Sequence, residues 1–357
     1  MSTDRNVFIG FMVMIALTFI SIIPQHLSAQ NGVQIVPRES EQKIDILMDG
    51  ELFTSYILDS KYEVLKKPTL FPLKAPSGAE VTQGYPIDPK PGERVDHPHQ
   101  VGLWFNYGNV NGLDFWNNSS AIPDDRQDEM GHIVHWGVNE IKNGQNTGEL
   151  VVTSGWLTAD NEVLLRDETR YVFHKRPDAR VVDRICTLTA TGDRVRMHDN
   201  KEGVLGIRVT RALEYPSERP LRLTGPDGEP MEEPVMDNEG VTGEYTSSEG
   251  ITGVEVWGTR AKWMKLSGVV EGEPVTVAIL DHPDNVGFPT FWHARPYGLF
   301  AANPLGQAVF TEGDMQLNYE LPAGESTTFK YRILIIPGRD TADQVEQEYQ
   351  KWVKEAT

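Results

Sequence analysis

The 357 residues predict an all-β chain, a large antiparallel β-sandwich closed by one C-terminal amphipathic helix. Three observations carry that expectation. From about residue 40 onward the chain breaks into about a dozen short apolar or alternating segments, each bounded by Gly, Pro, Asn or Asp. Strands do not alternate with helical stretches, which excludes a doubly wound parallel sheet. No fixed-period repeat is visible, which disfavours a propeller. A hydrophobic content of 39% with 9% aromatic residues supports the core of one domain over residues 30–357.

The segments follow in order. Residues 7–23 are almost wholly apolar, preceded by Arg5 and followed by Leu27-Ser28-Ala29. That is the layout of a signal peptide over residues 1–29, so the chain is expected to be exported, periplasmic or secreted. The alternative is an uncleaved anchor, because the run is near the lower limit for spanning a bilayer. Membrane contact is expected only through this segment. Residues 43–48 alternate, Asp49-Gly50 turns the chain, and residues 52–58 run on, which is a hairpin signal. Residues 69–73 make a short strand. Residues 74–96 form a long Pro- and Gly-rich approach loop, a length that is more often functional than a linker.

Strands are then expected over 101–107, 133–141, 148–158, 162–175, 181–189, 203–212, 254–257, 262–266, 275–281, 297–302 and 326–336. Residues 216–251 read as a polar insertion without periodicity. Only residues 340–355 are convincingly helical. Asp340 to Asp343 supply a cap and first-turn acids, and Val345, Tyr349, Trp352 and Val353 fall on one stripe.

A net charge of −19 argues against nucleic acid or an anionic membrane surface as partner, and leaves a small molecule or a glycan. The one cysteine, Cys186, rules out an intrachain disulfide and reads as a buried small hydrophobe. There is no G-x-S-x-G, no P-loop and no glycine set leading from a strand into a helix, so no nucleotide cofactor is expected.

Chemistry concentrates in two stretches. The first is His97-Pro98-His99-Gln100-Val101-Gly102-Leu103-Trp104, continuing to Asn111-Gly112-Leu113-Asp114-Phe115-Trp116. The second holds His282 and Asn285, then Trp292-His293-Ala294-Arg295-Pro296-Tyr297. Each combines His, Pro, an amide, an acid or base and an aromatic, and the two could converge where loops meet at the end of a sandwich. Glu202 and Arg208 frame a glycine-rich strand start, and Asp183 interrupts an apolar strand.

The candidates for proton transfer are His97, His99, His282, His293 and Glu202, since imidazoles titrate near neutrality and are oriented by acids. The candidates for binding are Gln100, Trp104, Asn111, Asp114, Trp116, Asn285, Trp292, Arg295 and Tyr297. Tryptophans can stack on a sugar ring, and Arg295 can hold a carboxylate or a sugar hydroxyl. Two alternatives stay open. Two or three His with a carboxylate also suit zinc or non-haem iron, so a divalent metal is possible, although no H-E-x-x-H is present. Any one of these His taken alone also fits a structural role, bonded to backbone carbonyls.

The run Asp96-His97-Pro98-His99-Gln100-x-Gly102-Leu103-Trp104, then Val110-Asn111-Gly112-x-Asp114-Phe115-Trp116, Lys201-Glu202-Gly203 to Arg208, Asp281-His282-Pro283-x-Asn285 and Trp292-His293-x-Arg295-x-Tyr297-Gly298 resembles the bacterial PmoA-like family, whose members carry the label methane oxygenase. The resemblance covers residues of about 40 to 340 and leaves 216–251 unmatched. It implies a β-sandwich similar to the galactose-mutarotase super-sandwich, in a carbohydrate context of exported polysaccharide-degrading systems. It also implies, through the label, a metal-dependent oxidoreductase. The function expected first is a carbohydrate-active enzyme of isomerase, lyase or hydrolase type, with an oxidoreductase or a non-catalytic carbohydrate-binding protein as alternatives.

Overall fold

The structure, a computed structural model, describes residues 31–355. The expected signal peptide, residues 1–29, lies outside the described residues.

The strands are β1 (Val33–Arg38), β2 (Lys43–Met48), β3 (Glu51–Ile57), β4 (Thr69–Leu70), β5 (Leu103–Tyr107), β6 (His132–Lys142), β7 (Thr147–Leu157), β8 (Val163–Arg176) and β9 (Ala179–Ala190). They continue with β10 (Val195–Met197), β11 (Gly203–Arg208), β12 (Glu244–Ser247), β13 (Trp263–Val270), β14 (Glu273–Asp281), β15 (Phe291–Ala294), β16 (Leu299–Asn303), β17 (Tyr319–Leu321) and β18 (Ser326–Pro337). Two helices, α1 (Gln307–Phe310) and α2 (Ala342–Glu355), complete the chain.

The strands form two eight-stranded sheets and one small pair. The first sheet runs β1-β2-β3-β4-β5-β11-β16-β15, and the second runs β12-β13-β14-β18-β9-β8-β7-β6. The paired strands are antiparallel throughout, as in β5 with β11, β11 with β16 and β15 with β16. This is the all-β sandwich that the turn-punctuated sequence predicts.

Side-chain alternation assigns each residue a face. In β5, Leu103, Phe105 and Tyr107 enter the core between the sheets, where Phe105 meets Phe329 of β18 at 5.6 Å between ring centroids. In β14, Val275, Val277 and Ile279 point the same way, while Ala278 and Leu280 point outward beneath α2. That helix buries Val345, Tyr349 and Trp352 against them, the stripe read from the sequence. Its start is a reciprocal cap: the Thr341 hydroxyl accepts from the Gln344 N–H, and Gln344 Oε1 accepts from the Thr341 N–H.

Four local expectations are corrected. Residues 254–257 are no strand: Gly253–Val256 forms a 3-10 turn, with Val256 buried and Val254 and Trp257 exposed, a split that an extended segment in a sheet does not give. The strand expected over 203–212 ends at Arg208, and Arg211–Leu213 turns instead. The insertion 216–251 contributes β12 at its end, paired with β13. Strands β1, β10, β15 and β17 were not foreseen; β10 and β17 are three residues each, too short to show a period. Among the described residues, Cys186 is buried on β9 and burial pushes its thiol up, the inert condition expected.

Candidate active site

The outer face of the first sheet supplies the floor of a cavity. Pairing places Trp104 beside Gly206, Gly206 beside Ala301 and Ala301 beside His293, one row across β5, β11, β16 and β15. Gly206 makes room for the Trp104 ring, which lies over it, and Ala301 stands between Gly206 and His293. A Cβ on Gly206 would fall 2.6 Å from the Trp104 ring, so glycine there is a packing requirement. Trp116 lies on Trp104 at 5.2 Å, and both are buried with Leu299 and Ala301 against Tyr297.

Above this floor opens a cavity of ≈340 Å³ lined by His97, Gln100, Asn117, Lys201, Glu202, His293, Arg295 and Tyr297. Its residues come from four stretches of chain: the loop before β5, the loop after it, the approach to β11, and β15 with its following turn. A turn at Asp114 sets Asn117 in place, since its carboxylate accepts from the Trp116 and Asn117 N–H groups and from the Asn117 amide. Glu202 is held close against β5: its carbonyl accepts from the Gly108 N–H at 2.8 Å, and a side chain at Gly108 would strike its Cβ.

At the cavity wall His293 is the best defined group. Its Nδ1 lies 3.1 Å from the Trp257 indole Nε1. An indole N–H only donates, so Nδ1 accepts and the proton of the neutral ring is assigned to Nε2. Nε2 stands 3.6 Å from Glu202 Oε2. Burial above all, then the charges of Lys201 and Arg295, push the imidazole down to about 3, so it is neutral near pH 7. Glu202 is also paired with Lys201.

His97 closes the opposite side. It occupies the left-handed region, φ 46°, a conformation rare outside Gly and tolerated best by Asn, Asp and His. It stacks on Tyr297 at 4.5 Å with an interplanar angle of 5°. Its Nδ1 is 3.0 Å from Asp96 Oδ1, within ion-pair range but off the line of a hydrogen bond.

Behind His97 lies a buried anchor. Arg208, fully enclosed on β11, donates to Asp96 at 2.6 Å, to Gln100 at 2.9 Å and to Gln83 at 3.3 Å. Burial opposes the charge of Asp96, but Arg208 and His97 prevail and hold its carboxyl at about 2. The guanidinium also stands over the Tyr297 ring at 5.1 Å. One buried cation thus ties the His97–Gln100 loop to the sheet and to Tyr297.

The sequence candidates divide. His97, Gln100, Glu202, His293, Arg295 and Tyr297 line the cavity, so the two predicted stretches meet on the face of the sheet and not at the end of the sandwich. Trp104 and Trp116 form the layer beneath, and Asp114 acts on Asn117. His99 is buried, with its carbonyl accepting from Lys67, and burial holds its ring well below the usual imidazole range.

The rest stand apart. Trp292 faces the core and donates to the Ala261 carbonyl, because it neighbours His293 on a strand and so takes the other face. His282 packs against Trp352 at 5.1 Å, on the side of the second sheet. Asn285 bridges Asp281 and the Lys330 backbone. Asn111 makes a surface turn whose side chain accepts from the Arg196 N–H. Asp183 is explained by an ion pair with Arg332 at 2.6 and 2.8 Å. Three residues escaped the sequence candidates: Asn117, Lys201 and Trp257. Lys201 adjoins Glu202 in sequence, a signal that was available, whereas nothing local links Trp257 to His293.

Among the described residues no group of three or more His, Cys, Asp or Glu is arranged to hold a metal ion. The residues present therefore do not fit the metal centre that an oxygenase label implies.

Several solved structures are distantly similar to this chain. The galactosidase domain of an α-galactosidase–sucrose kinase is 11% identical with a TM-score of 0.39, over 85% of this chain and 42% of that one. A GH36 α-galactosidase from Geobacillus stearothermophilus is 10% identical with a TM-score of 0.39, over 85% and 41%. A galactose 1-epimerase from Lactobacillus acidophilus is 9% identical with a TM-score of 0.37, over 86% and 99%. This chain thus spans about two-fifths of the length of the α-galactosidases it matches. At such identities the likeness concerns fold alone. No curated protein matches the sequence. Residues 43–350 match the model of DUF6807, a family of unknown function, and the chain belongs to that family.

Proposed function

We propose that the chain is an exported, carbohydrate-active enzyme in which Glu202 and His293 act together on a sugar or sugar-derived substrate. The observation that carries this reading is the pairing of a carboxyl oxygen with a neutral imidazole N–H, 3.6 Å apart at the wall of a cavity. A neutral imidazole does not give up its remaining proton at ordinary pH. His293 Nε2–H therefore acts as a hydrogen-bond donor that polarises a substrate oxygen, and Glu202 takes and returns the proton. His97, the other imidazole of the cavity, closes the opposite side and offers a polar contact to the substrate there. Tyr297, backed by the buried Trp104–Trp116 layer, gives the apolar wall that a sugar ring needs.

The oxidoreductase reading that came with the PmoA-like resemblance has no ligand set to support it among the described residues, so no step is routed through a metal. A binding module without catalysis is the competing outcome of the test. Export rests on the N-terminal sequence.

The test uses purified protein, a panel of hexoses, uronates and short glycans, and NMR detection of both binding and turnover. Glu202→Gln is expected to lower turnover about 10²- to 10⁴-fold and His293→Gln about 10²- to 10³-fold, with binding changed far less. Binding without turnover in the unaltered protein would make the chain a binding module. Full turnover in both variants would remove the proposed pair.

A further inference from the structure

Arg295 is a charged group of the cavity that the proton-transfer reading leaves unused. The other cations near it are engaged. Lys201 is paired with Glu202, and the buried Arg208 is committed to Asp96, Gln100 and Gln83. Among the described residues, no carboxylate lies within ion-pair distance of Arg295, and its guanidinium donates no hydrogen bond within the protein. Most other arginines of the described chain have an acidic partner, as Arg94 has Glu214 and Arg332 has Asp183. In a chain of net charge −19, an arginine left without one in a cavity is conspicuous.

The guanidinium is also held. Its Cζ stands 5.6 Å from the Trp257 ring centre and 5.9 Å from that of Tyr297. Two aromatic rings limit its rotation and strip part of its hydration, yet they satisfy none of its five N–H donors. A partly buried, pre-oriented fork of donors matches a carboxylate, which accepts two parallel hydrogen bonds. It matches a lone hydroxyl poorly, since one oxygen fills only part of the fork. Trp257 and Tyr297 link it to the rest of the site, because Trp257 also donates to His293 and Tyr297 also stacks on His97.

We propose that the cavity takes a sugar bearing a carboxylate, a uronate or a uronate-ended glycan, with the carboxylate on Arg295 and the ring between His97 and His293. This rests on the reading of the cavity as a sugar site, and narrows it to the acidic sugars. The positive field of Lys201 and Arg295 that depresses the imidazole of His293 is the same field an anionic substrate would meet.

Calorimetric titration of the full chain tests this. The probes are glucose with glucuronate, galactose with galacturonate and mannose with mannuronate, with acetate as a control, at low and high salt. At least one uronate is expected to bind tenfold or more tighter than its neutral partner, with the advantage reduced by salt. Arg295→Gln should remove that advantage, weakening the uronate about 10- to 100-fold while the neutral sugar changes less than threefold. Arg295→Lys, which keeps the charge and loses the fork, should fall between. Near-ultraviolet circular dichroism establishes that each variant is folded. If a neutral hexose binds as well as its uronate, or if Arg295→Gln leaves the preference intact, this proposal falls and the sugar site stands. If acetate binds as tightly as the uronates, the cavity is a simple anion site and the proposal falls. If no sugar of either kind binds, the sugar reading itself fails.

Discussion

Among the groups whose charged form burial disfavours, two imidazoles and one lysine have a legible consequence with pH. Folding depresses His293 to about 3, and His99 is pushed down as well. Between the ordinary imidazole value of about 6.5 and the folded value, the unfolded chain binds more protons. Stability is therefore lost as pH falls below about 6.5. Lys67 is fully enclosed, donates to the His99 carbonyl at 2.6 Å, and is lowered by burial to about 7. Between pH 7 and the ordinary lysine value of about 10.4 the unfolded chain again holds the extra proton, so stability rises with pH across that window. Lys67→Met removes this term. Its melting temperature relative to the unaltered protein is expected to be most favourable at or below pH 7 and to decline steadily toward pH 10. A difference that does not vary with pH would mean that folding does not lower Lys67. None of this could be read from the sequence, where Lys67 is one residue in a Lys-Lys-Pro turn without apolar context.

At the scale of elements, the site depends on strand order. His293 and Trp104 are distant in sequence and are brought into one row because β15 and β16 return beside β11, which pairs with β5. The sequence made both stretches conspicuous by composition, and His97 and Gln100 of the first meet His293, Arg295 and Tyr297 of the second, while His282 and Asn285 lie apart. The place where they meet was not legible, because the register that puts Gly206 and Ala301 between the two aromatic residues is set by pairing and leaves no local trace. The same limit explains Trp292: its neighbour enters the site, so Trp292 must face the core. Gly206→Val tests the row. The added side chain meets the fully buried Trp104, so a loss of about 1–3 kcal/mol in unfolding free energy is expected, together with weakened sugar binding. Denaturant unfolding and calorimetry check both. A variant with unchanged stability and binding would show that the floor is not packed as described.

At the scale of the whole molecule, the sandwich separates a working face from a stabilising one. The outer face of the first sheet carries the cavity. The outer face of the second carries α2 and the Asp183–Arg332–His174 cluster, in which His174 Nε2 lies 2.7 Å from Asp183. The class of fold was legible because antiparallel strands announce themselves by turns and alternation. The division of labour between faces was not, and Asp183, His282 and Asn285 looked like site residues for that reason. Asp183→Asn strips the charge from a buried pair and leaves Arg332 without its partner, so a loss of about 3 kcal/mol is expected. Turnover per folded molecule is expected to change less than twofold, measured well below the lowered melting temperature. A large loss of turnover would mean that the second sheet belongs to the site.

The most direct test is to find where a sugar binds. In protein labelled with nitrogen-15, the indole N–H of Trp257 and the imidazole of His293 report on the cavity, while His174 and the indole of Trp263 report on the opposite face. Titration with the uronates and hexoses is predicted to shift Trp257 and His293 and to leave His174 and Trp263 in place. Shifts confined to His174 and Trp263, or no shift with any sugar, would contradict a sugar site at Glu202 and His293.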